Sequence, residues 1–356
     1  MLDSQSSLRL NLLRFPLIVG VVFIHAAARE VTLADRSIQA PHSQFTEFVT
    51  NVVSQGVARI AVPLFYLISG YLFFLGFEWS RRNYWAKVRS RTKTLLIPYV
   101  FWNCFTLAII GLAQAVPASR MYLSGRIPSV ANFTAADYLN NVFGITVNPI
   151  AYQFWFIRDL MIMVLLAPAV YAVFLLVPTS FLTMLFLLWF LGAWPVAIPA
   201  SVAALFFCAG GYLAWNGKSL FAIDRVGPVV VLAYAPIVVL DALLKNQPFS
   251  PYLHKVGILV GVAAALYVTK FVAKSDKLKM WLLSLGAASF FVFATHQPLL
   301  TILRKALNVA VSPASPLMSL GLHFLIPMML IAILVVTHRL LCVMAPRLTS
   351  IVTGGR

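Results

Sequence analysis

Arg14 and His25 stand eleven residues apart in an otherwise apolar stretch, RFPLIVGVVFIH. On a helix that separation is about 16 Å along the axis. Eleven steps of about 100° return both side chains to nearly the same face. One helix face would therefore present a cation at one end and an imidazole at the other. Ionisable groups among apolar neighbours are costly, and those that persist are paired or functional. Arginine grips phosphates and carboxylates through two parallel bonds. Histidine is suited to taking a proton from a hydroxyl near neutral pH. Read singly, Arg14 is equally a snorkelling anchor and His25 a packed, hydrogen-bonded ring. Their shared face favours chemistry.

The elements that must position this pair are membrane helices. Of the 356 residues 61% are hydrophobic and only 10% are charged, and the mean hydropathy is +0.89. A soluble domain is roughly 45–50% apolar and about 25% charged. Apolar runs approaching the roughly 20 residues that span a bilayer recur along the whole chain. The expected fold is an all-α, polytopic bundle forming one domain over 1–356. Ten spans are expected, near 10–28, 57–77, 94–116, 154–172, 179–194, 198–215, 227–244, 255–273, 281–303 and 317–341. The fourth and fifth are separated only by a Pro-Thr-Ser turn at 178–180.

Charge asymmetry orients the bundle. With the N-terminus inside, the loop 78–93 and its Arg81, Arg82, Lys87, Arg89, Arg91 and Lys93 lie in the cytoplasm. So do Lys218 and Arg225, then Lys274, Lys277 and Lys279, then Arg339, Arg347 and Arg356. The long loops 29–56 and 117–153 are sparsely basic and fall outside. Positive residues near helix ends stay cytoplasmic, so ten spans with both termini inside are self-consistent. A cleaved signal ending at Ala26-Ala27-Ala28 would invert that parity. The net charge of +17 resides in these interhelical clusters, which argues against a nucleic-acid partner. Cys104, Cys208 and Cys342 lack metal-ligand spacing and read as small buried hydrophobes, so no metal centre is expected. Gly257 and Gly261 form a small-xxx-small pair for close helix approach.

At Arg14 and His25 the chain resembles the R-x10-H signature of the type 3 acyltransferase family of integral membrane enzymes. Four further segments resemble the same family in order: ARIAVPLFYLISGYLFF (58–74), RTKTLLIPYVFW (91–102), QFWFIRDLMIMVLLAPAVY (153–171) and, more weakly, SFFVFATHQPLL (289–300). The similarity is to stand-alone members, including enzymes that O-acetylate O-antigen, enterobacterial common antigen or exopolysaccharide. It implies a bacterial inner-membrane enzyme that uses cytoplasmic acetyl-CoA as a cosubstrate, with no tightly bound cofactor. The acceptor would be a glycan or lipid-linked glycan at the outer face. Arg14, with Arg89, Arg91 and Lys93, would meet the donor's phosphates, and His25 would take the acceptor's proton. An acetyl-histidine intermediate is left open, as are the oligomeric state and the choice of acyl group.

The remaining polar candidates are Arg59, Arg158, Trp155 and His296, all near the outer ends of their spans, together with Ser69 and Tyr71 of the Ser-Gly-Tyr motif. These read as substrate contacts, though each is also explicable as an interface anchor or packing group. Glu30 and Asp159 are candidates to orient His25, Asp159 having an ion pair with Arg158 as its other reading. His42, His254, His323 and His338 receive no role. A transporter or flippase of a lipid-linked glycan is the alternative. Against it, no paired Gly- or Pro-interrupted spans appear.

Overall fold

Without water to satisfy them, backbone amides inside a bilayer must bond within their own segment, which makes helices the default. The computed structural model of the chain describes residues 3–27, 30–32, 37–117, 119 and 127–355. It is helical apart from one short antiparallel ribbon, Glu30–Thr32 (β1) with Ser37–Gln39 (β2). The helices are α1 (Ser4–Ala26), α2 (Gln44–Thr50), α3 (Ala61–Phe74), α4 (Arg81–Arg91), α5 (Ile97–Ala115), α6 (Ala135–Phe143), α7 (Trp155–Leu176) and α8 (Pro178–Leu191). They continue as α9 (Ser201–Trp215), α10 (Gly227–Leu243), α11 (Ser250–Val272), α12 (Asp276–Gly286), α13 (Ser289–Val311), α14 (Pro316–Met344) and α15 (Pro346–Thr353).

Among the described residues, six helical stretches are long and apolar enough to cross a membrane, and the pair α12–α13, bent by 61°, makes a seventh if it is one span. Helices α8, α9 and α10 are apolar but shorter. Every expected span has a helix over it, and α7 and α8 are separate, broken at Val177. Large apolar side chains face outward, Leu232 at 78% and Val343 at 81% exposure among them, as lipid-facing surfaces do. Cys104 and Cys342 share that outward exposure, and only Cys208 is buried. The expectation of three buried cysteines is corrected because an apolar residue in a membrane helix can satisfy itself against lipid. Ala28 and Arg356, invoked for the signal and the basic tail, lie outside the described residues.

The chain forms two compact units, each assembled from discontinuous segments. The first comprises Met1–Val21, Asn51–Thr92 and Asp159–Ser289. Its tightest contact is α3 against α9. A Cβ on Gly70 would lie 1.9 Å from the Phe207 carbonyl oxygen, and one on Gly210 would lie 2.0 Å from that of Leu67. Gly261 of α11 likewise admits Ile60 and the Tyr234 ring of α10. Arg9, 4% exposed, pins α1 within this unit. It donates to Asp224 at 2.6 and 2.8 Å, to Thr269 Oγ1 and the Leu266 carbonyl at 2.8 Å each, and lies over Phe221. Arg9's hydrogen bonds hold the Asp224 carboxyl below the usual carboxylate range.

The second unit comprises Val22–Thr50, Lys93–Arg158 and Phe290–Arg356. A Thr134–Asp137 capping box starts α6, and Gly144 at φ +67° ends it in the left-handed conformation. The Tyr99 hydroxyl donates to the Phe143 carbonyl at 2.9 Å, and Asn103 Oδ1 accepts from the Ala151 amide at 3.1 Å. Trp102 Nε1 ties α5 to the Val352 carbonyl of α15 at 2.9 Å. These bonds fix the 144–154 connection, from which the site is built.

Candidate functional site

Proline at position 298 governs the local geometry of α13. It offers no N–H, so the Ala294 carbonyl loses its helical partner, and Gln297 departs from helical geometry at φ −112°, ψ 138°. Gln153 Nε2 repairs the gap, donating to the Ala294 carbonyl at 3.0 Å and the Gln297 carbonyl at 3.2 Å. At this break the His296 ring turns its Nδ1 to within 2.7 Å of the Phe293 carbonyl. A carbonyl only accepts, so Nδ1 carries the hydrogen and the neutral ring presents a bare lone pair at Nε2. His296 is fully buried, and its Nε2 has no hydrogen-bond partner among the described residues. Leaving such an acceptor unmatched costs about 1–3 kcal/mol, a cost that suits a site awaiting a donor.

The His25 ring lies 5.3 Å from the His296 ring, centroid to centroid. Tyr152 meets His25 edge-on at 5.0 Å, its hydroxyl 3.0 Å from His25 Nδ1. Tyr152 engages one of the two ring nitrogens of His25. Two imidazoles and a phenol thus converge, held by α1, α13 and the turn before α7.

Of the expected site residues, the structure brings His25 and His296 together. Arg14 occupies the same continuous helix as His25 and is exposed. Arg89 and Arg91 lie on α4 and Lys93 on the following π-turn, Thr92–Leu96. Arg59 bonds Gln55 Oε1 at 3.0 and 2.6 Å. Ser69 is half-buried on α3, where Tyr71 is buried. Trp155 opens α7, half-buried. Arg158, buried, donates to the Gly144 and Val147 carbonyls at 2.8 and 3.2 Å and so organises the loop after α6. Asp159, fully buried, accepts from the Ala200 amide at 2.8 Å just ahead of α9. The Glu30 side chain lies outside the described residues.

Tyr152 and Gln153 escaped the sequence reading. The signal available for Gln153 was Pro298 itself, which leaves a buried carbonyl four residues back in need of an outside donor. Tyr152 carried no such mark. His254, given no role, pairs with Asp241 at 2.8 Å within the first unit.

A protein-family model described as an acyltransferase domain matches residues 7–338. The chain is also 26% identical over 380 residues to the succinoglycan biosynthesis protein ExoH of Rhizobium meliloti (strain 1021), covering 100% of this chain and 94% of that protein. No solved structure matches the chain. A bundle of apolar spans, a pair of converging histidines and a family match over nearly the whole length lead to one assignment: the chain is a multi-pass membrane protein of the type 3 acyltransferase family.

Proposed function

We propose that the protein transfers an acyl group, acetyl foremost, from a cytoplasmic acyl-CoA to a hydroxyl of a surface glycan or its lipid-linked precursor. The acceptor would be met at the outer face of the bacterial cytoplasmic membrane, with ten crossings and both termini inside. The family supports the reaction class, and the relative's part in succinoglycan biosynthesis supports a glycan acceptor. The contact of His25 with Tyr152, beside the bare Nε2 of His296, carries the reading.

In the reaction the acceptor oxygen attacks the thioester carbonyl while His25 takes the hydroxyl proton. The C–S bond breaks, the acyl C–O bond forms, and the departing thiolate regains a proton as free CoA. His296 Nε2 accepts a hydrogen bond from a neighbouring hydroxyl of the acceptor and so holds the attacking oxygen in line. Arg14, Arg89, Arg91 and Lys93 meet the phosphates of the donor, which is polyanionic at its nucleotide end. Tyr152 is a positioning residue that holds His25 in one tautomer. Tyr152→Phe should lower kcat roughly tenfold, the size of one lost hydrogen bond, with donor KM unchanged in steady-state assays of purified enzyme.

The test is the O-acyl content of the host's surface polysaccharide, by proton NMR, in a deletion strain and in the same strain restored with the gene. It is paired with thiol release from acetyl-CoA by detergent-solubilised protein given the unacylated polysaccharide. Restored acyl signals with acceptor-dependent thiol release are expected. Vectorial uptake into vesicles without thiol release would instead mark a transporter and overturn the proposal.

A further inference from the structure

An open cavity adjoins the C-terminal end of α1. Ala26 and Ala27, the residues directly after His25, form part of its wall, and the rest comes from α2 and the segment before it, from α13 and from α14. Its polar lining includes His42, Glu47, Arg304, Asn308, Ser319 and His323, over an apolar floor of Leu322, Ile326 and Pro327. His323 and Ala26, the neighbour of His25, both line it. Arg304 lies within electrostatic reach of Tyr152, which itself touches His25.

The charge of this lining separates the two substrates. Among its described residues, Glu47 and Arg304 carry opposite formal charges and no third full charge accompanies them. A carboxylate is the wrong neighbour for a nucleotide bearing several phosphates, which needs cations alone. Basic side chains of that kind gather instead on α4, as Arg81, Arg82, Lys87, Arg89 and Arg91. A balanced carboxylate and guanidinium, an amide, a hydroxyl and two imidazoles above an apolar floor suit a ring that is polar at its rim and apolar on its face.

We infer that this cavity is the acceptor subsite, seating a neutral, hydroxyl-rich glycosyl unit beside His25 with His42, Glu47 and Asn308 receiving its hydroxyls, an inference that rests on the acyltransferase reading above. Asn308 is a specificity residue here, 7% exposed and held by its own bond to the Arg304 carbonyl at 2.9 Å.

Wild type, Asn308→Ala and the space-filling Ser319→Trp are to be reconstituted in proteoliposomes with acetyl-CoA and the unacylated polysaccharide of the deletion strain. Acceptor KM should rise roughly tenfold in Asn308→Ala, as expected for losing one buried hydrogen bond, and further in Ser319→Trp. Donor KM should stay within about twofold of wild type, because a uniform binding loss on one substrate leaves the other untouched. A retained CoA-induced thermal shift shows that each variant is folded. Normal acceptor KM in folded variants would overturn the inference while leaving the acyltransferase reading standing. A raised donor KM alone would assign the cavity to the nucleotide and overturn it equally. Wild type that transfers nothing would overturn the functional reading and this inference with it.

Discussion

His25→Ala should lower kcat by roughly 10²–10⁴-fold, the range that a positioned general base supplies, with the protein still inserted and folded. The imidazole lies at the last turn of α1, its Nδ1 bound to Tyr152 and its ring 5.3 Å from that of His296. Truncation leaves the helix intact, since alanine is the best helix former. His25→Gln separates the two roles the ring plays. The amide can still meet the Tyr152 hydroxyl but cannot take up a proton, so it should be as inactive as alanine. Steady-state rates of thiol release at matched protein concentration decide the matter. Activity within about tenfold of wild type in both variants would remove His25 as the base and point to the other imidazole. A glutamine variant far more active than alanine would make His25 a positioning group.

Gly210→Val should prevent recovery of folded protein. The Cβ of any larger residue at 210 would fall 2.0 Å from the Leu67 carbonyl oxygen, and one at 70 would fall 1.9 Å from that of Phe207. Both obstacles are backbone, which cannot swing aside as a side chain can, so α3 and α9 must part. Overpacking against movable neighbours already costs about 1–3 kcal/mol, and a displaced helix pair loses its remaining contacts as well. Gly70→Ala alone should be milder but in the same direction. The double variant should cost less than the sum, because one substitution has already separated the helices that the other needs apart. Gly257→Ala is the control: its nearest neighbour is Ile237 Cγ2 at 3.5 Å, an ordinary contact. Fluorescence-detected size-exclusion profiles after heating in detergent should show a normal peak for Gly257→Ala and an aggregated one for Gly210→Val. Equal profiles would mean that the α3–α9 approach is not what holds this unit together.

Composition and hydropathy determined by themselves that the chain is a helical membrane protein. Burying or exposing apolar side chains is a one-residue property, and its run length along the chain is visible without any fold. The placing of Arg14 and His25 on one helix was legible for a related reason, since helical periodicity relates residues a few turns apart. Of the small-xxx-small pair in α11, Gly261 admits a neighbouring ring, while Gly257 meets only an ordinary contact. The tighter pair, Gly70 with Gly210, was not legible, because each glycine is informative only once the opposing carbonyl is known. Tertiary structure alone decided what His25 touches. Tyr152 is 127 residues away in sequence, and no periodicity spans such a distance. It decided that His296 would turn Nδ1 inward and leave Nε2 bare, because that depends on a broken helix whose freed carbonyls Gln153 covers. It also decided that Arg158 holds a loop and Asp159 an amide before α9. Local sequence sets which groups are polar at depth; the packing of helices distant in the chain sets which of them meet.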